Sequence, residues 1–466
     1  MVSISLRNDQ LSISFIFLSI FIWWMVLIYS WEKRKHDFKF LFFLLFLEGT
    51  FLGLIQTNDI FNLFVFIEIT TIISTILIIY KKDGYSVRSG LYYLLFNSVG
   101  TIFYLLGLIF IYITTGSLNM DIISEKISYI GENSVIILSY IFIMAAVGVK
   151  SAFFPVYNWL PKAHGAAPAS ISALLSGLLI KSGLYAFIRF NKVYNIDIMY
   201  DLFFILGCLT AISGIFFALS QKDIKQILAF HTISQIGIIL MGLSSMSGKT
   251  YIGGIIHIFN HAMFKSLLFM GAGYIINVYG TRKITDIRGV FKNMPIASCF
   301  MIIGMLSITG APLFNGFVSK TIIKYGFKGN TVKTILLYII NLGTGISFVK
   351  MSQIFFGKFK VQKLRNYHHE LAMLILAMMC IILGNFYMPL TKGFFGVELS
   401  FVKVTDIVNW INYMVSIGIG YLIYKKIIEK DYNIIKRLRH LNISFGSTNF
   451  MLVVFIFIMV VWSYVY

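Results

Sequence analysis

Fourteen apolar runs follow one another along this sequence, each close to the length of a helix that crosses a bilayer. A helix needs about 20 predominantly apolar residues for that crossing. The runs lie near 11–31, 37–56, 59–80, 90–114, 134–155, 168–190, 199–219, 227–245, 253–278, 295–327, 333–356, 370–389, 408–424 and 449–466. The expected fold class is an all-α polytopic membrane protein with about 14 transmembrane helices. The run at 295–327 is too long for one plain helix and contains Gly310, Pro312 and Gly316, so it reads as a broken helix. Composition agrees: 58% of the residues are hydrophobic, 12% are charged and mean hydropathy is +0.83, against about 25% charged in soluble domains. A soluble globular enzyme, a disordered chain and a nucleic-acid-binding domain are all excluded.

The formal charge of +20 needs a different explanation from nucleic acid. Alternate loops, at 32–39, 81–88, 157–165, 221–226, 279–292, 357–365 and 425–447, hold 24 of the 39 Lys and Arg residues. The opposite loops hold 10, Arg189 among them. By the positive-inside rule the heavier loops face the cytoplasm of a prokaryotic cell, the inner membrane is the location, and both termini lie outside. Basic loops against anionic headgroups of the lipid bilayer account for most of the charge. The polar stretch from Lys425 to Asn442 reads as an ordered loop in preference to a surface helix. No cleavable leader is expected, because the run from Leu11 to Trp31 is a full span followed by a basic anchor. The three cysteines, Cys208, Cys299 and Cys380, are far apart and form no C-x-x-C, so neither an iron–sulfur cluster nor a zinc site is supported. No cofactor, metal or catalytic site of the chain's own is expected.

Five lysines remain within the spans: Lys150, Lys181, Lys265, Lys320 and Lys350. A lysine at mid-membrane costs about 2.5 to 3.5 kcal/mol on insertion scales. Snorkelling to the interface accounts for Lys350, close to the cytoplasmic end of its span, and fails for Lys150 and Lys181. Small residues beside these two allow close helix packing, so they face a bundle interior. Glu68 sits mid-span with no neighbouring charge and is the expected ion-pair partner of a buried ammonium. Glu48 also falls within a span. His257 and His261 are spaced i, i+4, which puts both rings and Lys265 on one helix face. Without the glutamate of H-E-x-x-H or a third ligand, a proton relay fits them better than a metal site. His231 carries no assignment, since a packing role accounts for it equally well. Helix breaks are expected at Pro155 and Pro161 after Lys150, and at Gly310 and Pro312 before Lys320. Unwound backbone at membrane depth survives only inside protein or beside water, and the mirrored placement raises an inverted repeat. The single membrane domain, 1–466, then divides into repeat cores at 59–190 and 199–356, with extra C-terminal spans over 400–466.

Five stretches, Asn58 to Glu68, Gly148 to Lys181, Gln221 to Phe230, His257 to Lys265 and Gly310 to Lys320, match one family in order and spacing. The chain resembles the antiporter-like family shared by Mrp-type multisubunit cation/proton antiporters and the proton-pumping membrane subunits of complex I and energy-converting hydrogenases. Its F-N-L-F-V-F-x-E and P-x-x-x-W-L-P-K forms, with lysine at 320, lean toward the D subunit of the Mrp type. The resemblance implies that Glu68 and Lys150 form the family's glutamate–lysine pair. It likewise makes Lys181 and the His257/His261 face the central relay, and Lys320 the terminal lysine of a second half-channel. It implies proton translocation coupled to Na⁺ or K⁺, with other membrane subunits as partners. The alternative is a proton-pumping subunit of an NADH dehydrogenase-like or hydrogenase complex. Two departures stand out: the family usually has two helices before the one matching 11–31, and Glu48 is not part of its pattern.

Overall fold

The computed structural model describes residues 5–131, 133–245, 248–358, 365–396, 398–399, 402–441 and 443–465. Lys360 and Lys363 of the basic loops, and Tyr466 of the final expected span, lie outside the described residues. The elements in order begin with α1 (Gln10–Arg34), α2 (Phe38–Gln56), α3 (Ile60–Ile79), α4 (Gly84–Thr115), α5 (Met120–Ile130), α6 (Ser134–Lys150) and α7 (Trp159–Ala166). Then come α8 (Ala169–Leu174), a π-helical turn (Leu175–Leu179), α9 (Ile180–Tyr194), α10 (Tyr200–Ser220), α11 (Ile224–Leu243) and α12 (Gly248–Tyr279). The chain continues through α13 (Val290–Asn293), α14 (Pro295–Thr309), α15 (Asn315–Gly326), α16 (Thr331–Ser352) and α17 (Tyr367–Asn385). It finishes with α18 (Tyr387–Phe395), α19 (Ile407–Ile423), α20 (Asn433–His440) and α21 (Phe445–Val465). Three isolated β-bridges are the only extended pairing among the described residues.

Twelve of these helical stretches are long and apolar enough to cross a membrane, and the shorter apolar helices α6 and α14 are the two that break. Many spans start at an acid or amide. Asp9, Asp37, Asp59, Asp83, Asp223 and Asp406 each accept a backbone N–H in the first turn of the helix that follows. Such a cap contributes about 1 kcal/mol, so a large share of the chain's few acids is spent on helix ends. Close packing comes from small residues, as membrane bundles require. A Cβ at Gly237 of α11 would lie 2.4 Å from the Ala211 nitrogen of α10, so these two backbones touch.

Specific hydrogen bonds hold both breaks. After α6 the Val149 carbonyl accepts from the Trp159 indole at 2.8 Å, and the Phe154 N–H donates to Thr210 Oγ1 at 2.9 Å. After α14, Gly310 takes the left-handed conformation at φ +80°, and Asn260 and Asn315 exchange side-chain-to-carbonyl bonds at 2.7 and 3.3 Å that tie α15 to α12. One expected break is misplaced. Pro161 lies inside the first turn of α7, where a missing N–H and a fixed φ are tolerated; the chain is already non-helical before Trp159.

The stretch read as a plain loop after Lys425 is also corrected, because Asn433 to His440 forms a helix. Its burial of Ile435 against a basic outer face is a short amphipathic pattern. This strap carries the chain from α19, which packs on α16, to α21, which packs on α4 and α6. Lys222 and Arg439 both bind Asp431 and fasten the strap, the former at 2.8 Å. They hold the Asp431 carboxyl below the usual carboxylate range. A depressed carboxylate contributes stability above its unfolded value, about pH 4, and loses it as pH falls through the folded value. Asp431→Asn is therefore expected to lower stability by about 1 kcal/mol. In thermal unfolding in detergent its deficit against the parent stays constant between about pH 5 and 8 and shrinks only in stronger acid.

Candidate functional site

The buried ionisable groups lie along the bundle interior in a row set by α3, α6, α9, α12 and α15. At one end is Glu68, half-buried on α3, with Thr101 of α4 donating to its carboxylate. Lys150, the last residue of α6, is 6% exposed. Its ammonium donates to Thr71 Oγ1 at 2.6 Å and reaches Tyr93 OH at 3.4 Å. The expected direct pair is therefore absent: no ion pair joins Glu68 and Lys150 among the described residues. The physical reason is local, since a hydroxyl satisfies each ion, Thr101 for the acid and Thr71, one turn along α3, for the base.

Lys181 is fully buried at the start of α9, just after the π-helical turn. Its Nζ donates to the Ser176 carbonyl and lies 2.6 Å from His261 Nδ1. His261 is within electrostatic reach of Lys181, Lys265, His257 and His164. One turn back along α12, His257 Nδ1 lies 2.8 Å from Ser319 Oγ and Nε2 lies 3.2 Å from Gln235 Oε1. Ser319 is the residue preceding Lys320. Lys320 Nζ donates to the Ile308 carbonyl at 2.6 Å, in the last turn of α14. Lys181 with His261, and His257 with Ser319, thus form two hydrogen-bonded pairs one turn apart on α12. Lys150 and Lys181 do not touch, but their helices do: a Cβ at Gly183 would lie 2.3 Å from Ser151 Oγ. Lys265 is buried and turned to α11, where it donates to the Leu228 carbonyl at 2.7 Å.

Sequence reasoning misplaced or missed several groups. Lys350 does not reach out to water; at 7% exposure it binds the Leu219 carbonyl at 2.6 Å and the Gln221 carbonyl, closing the end of α10. Lys225, counted with a cytoplasmic loop, is buried and donates to the Ala167 carbonyl at 2.7 Å. Arg189, counted with the opposite loops, is 2% exposed and grips Asp9 at 2.5 and 2.7 Å. His164 stacks on Phe269 with centroids 4.5 Å apart, and His231 packs on Phe348. Neither ring has a hydrogen-bond partner among the described residues, and the same holds for His261 Nε2. Glu48 takes both its carboxylate contacts from one hydroxyl, Ser19 Oγ, at 3.1 Å each. Among the described residues no group of three or more His, Cys, Asp or Glu is placed to hold a metal.

A cavity of about 690 Å³, lined by Lys324, Lys328 and Lys403, reaches Thr309, Gly310 and Lys320 at the second break. The aliphatic part of Lys320 lies against Gly310, where a Cβ would come within 3.4 Å of Lys320 Cδ.

A family model described as NADH:quinone oxidoreductase/Mrp antiporter, TM, matches residues 57–347. The chain belongs to that family. Within the Mrp and oxidoreductase family it is similar to the D subunit of the Na⁺/H⁺ antiporter of Alkalihalophilus pseudofirmus, 36% identical over 296 residues, 62% of this chain and 59% of that relative. The D subunit of the Bacillus subtilis Na⁺/H⁺ antiporter is 33% identical over 72% of this chain and 70% of its own. Among solved structures, a chain of the archaeal membrane-bound sulfane sulfur reductase, a respiratory membrane complex, superposes with a TM-score of 0.78. It is 26% identical and the match covers 93% of this chain and 86% of that one. A chain of the Mrp complex from Dietzia sp. DQ12-45-1b gives 0.76 at 20% identity, covering 94% and 87%, and so shares the fold. The family match spans residues 57–347, from before Glu68 to beyond Lys320, while α17 to α21 lie beyond it.

Proposed function

We propose that this chain is the proton-translocating subunit of a multisubunit Na⁺ or K⁺/proton antiporter of the prokaryotic inner membrane, with both termini outside. The likeness to the D subunits of two Na⁺/H⁺ antiporters supports the activity. The observation that carries the path is the pair of contacts one turn apart on α12, Lys181 to His261 and His257 to Ser319, with Lys320 next in sequence to Ser319. Glu68 and Lys150 load the row from the first core, 59–190, through the Thr71 and Thr101 hydroxyls. Lys265 sits beside the row on α12 as a further charge that tunes it. The cavity at Lys320 connects the second core, 199–356, to the outer solution.

The magnitudes suit the task. Moving one charge through 100 mV involves about 2.3 kcal/mol. Breaking a contact of a buried ion involves a few kcal/mol, enough to drive a proton onward or hold it back. The test is salt-dependent proton flux in vesicles that hold this chain with its partner subunits. Lys150→Ala and Glu68→Ala are expected to lose flux about a hundredfold while still inserting; parent-like flux in either removes the first core from the path. A second reading, a proton-pumping subunit of a redox-driven complex, is favoured by the match to the sulfane sulfur reductase structure. Copurifying partners separate the two: small antiporter subunits for the first, redox-centre subunits for the second.

A further inference from the structure

Glu48 is a mid-span carboxylate that the row leaves unused. On α2 it lies about 15 Å from the Phe38 end and about 12 Å from the Gln56 end, at the helical rise per residue. It is half-buried, and both its oxygens share one partner, Ser19 Oγ of α1, at 3.1 Å. Among the described residues no Lys, Arg or His pairs with it. An ionisable group inside a span ordinarily faces the bundle interior or water and meets an opposite charge. Glu48 instead sits at the edge of the bundle, in the seam between α1 and α2. That seam is uncovered. On α2, Phe42 and Leu45 are 61% and 57% exposed, and on α1, Ile20 and Trp24 are 41% and 58% exposed. Their i, i+3 and i, i+4 spacing makes one outward apolar face on each helix. Gly49, next to the carboxylate, is exposed, and nothing lies within 4 Å of its Cβ position. Such a small residue lets a second backbone come close within a membrane.

Whatever covers this seam has to bring a positive charge to mid-membrane. Lipid headgroups lie at the two ends of α2, beyond reach of Glu48. A second copy of this chain cannot supply the charge either. Its five span lysines, Lys150, Lys181, Lys265, Lys320 and Lys350, are at most 7% exposed. We propose that the α1–α2 seam docks a transmembrane helix of another subunit, and that this helix carries a Lys or Arg paired with Glu48. Ser19 then holds the carboxylate at the seam while the incoming base supplies its counter-charge. Ile20, Trp24, Phe42 and Leu45 pack around the pair and keep lipid and water from it, as the apolar ring around a buried anchor does. The same charge selects the partner, because a helix without a base at that depth leaves the carboxylate unpaired. This rests on the reading of the chain as one subunit of an assembly, and it is independent of the row and of which ion is moved.

The first measurement needs no variant. A carboxyl without a counter-ion in apolar surroundings takes up a proton and then reacts with dicyclohexylcarbodiimide, whereas a paired carboxylate does not. Labelling of the Glu48 peptide, read by mass spectrometry, is expected to be about tenfold higher in the purified full chain than in the intact assembly. The second measurement places a photoreactive amino acid at Leu45 of the assembled chain. The expected adduct joins a copurifying subunit on a transmembrane helix with a Lys or Arg within about one turn of the crosslink. Glu48→Gln keeps a polar contact with Ser19, so the isolated variant is expected to unfold as the parent does. In membranes it is expected to retain the crosslinked subunit about tenfold less well. Equal labelling of Glu48 in the two states overturns the pair, as does parent-like retention in Glu48→Gln. Adducts with lipid alone, with a second copy of this chain, or with a helix lacking Lys and Arg overturn the docking surface. None of these readouts is flux, so the Lys150 and Glu68 variants test the row separately.

Discussion

Lys181→Ala is expected to abolish coupled proton flux, by about a hundredfold or more, with normal insertion and assembly. Lys181 is a fully buried ammonium in hydrogen-bond contact with His261, through Nδ1 at 2.6 Å. Its other partner is a backbone carbonyl, that of Ser176. Removing the side chain therefore strands no carboxylate. Truncating one member of a buried ion pair destabilises by about 3–5 kcal/mol because the other charge remains, and no such charge remains here. The expected signature is loss of function without loss of fold. Vesicle flux measured beside thermal unfolding of the purified protein checks both halves; parent-like flux would move the path away from α9.

Gly316→Val is expected to do the reverse and prevent a stable fold. Gly316 is the second residue of α15, and a Cβ there would lie 1.8 Å from the Ser307 carbonyl oxygen of α14. Two half-helices pass each other at that point with backbone against backbone. The obstructing atom belongs to the main chain of a broken helix whose own turn is held by Gly310 and by Leu313 at φ +72°. Neither side can yield. Overpacking of this kind costs about 3 kcal/mol or more, and the expected results are poor yield in detergent and a much lower Tm. Gly418→Ala is the control: nothing lies within 4 Å of its Cβ position, and Tm is expected to stay within a degree or two of the parent.

Span positions were legible because a bilayer imposes length and apolarity on a helix one residue at a time. The 14 expected runs correspond to the twelve long spans and the two short broken ones. Buried lysines stood out for the same reason, since their neighbours are apolar. Lys225 did not, because Gln221, Lys222 and Asp223 surround it with loop-like polarity while the fold turns its ammonium inward to Ala167. Partners were less legible than positions. Whether Glu68 meets Lys150 or a hydroxyl depends on helix rotation and on where Thr71 and Thr101 fall, which no hydropathy pattern encodes. The His257–His261 face was readable from i, i+4 spacing alone. Its link to Ser319 was not, because that contact is made by α15, which reaches α12 only after the second break.

One packing contact bears on how the protein is made. Phe455 of α21 fills the space above Gly148, where a Cβ would lie 2.7 Å from its ring, two residues before Lys150. Thr448 of the same helix bonds Tyr92 at 2.6 Å, and Trp462 caps the Ile198 carbonyl at 2.8 Å. The helix that carries Lys150 leaves the ribosome long before the helix that packs against it. Domains that form during synthesis commonly finish from the N-terminus onward, but the packing around α6 cannot. Lys150 acquires its final surroundings only when α21 is inserted.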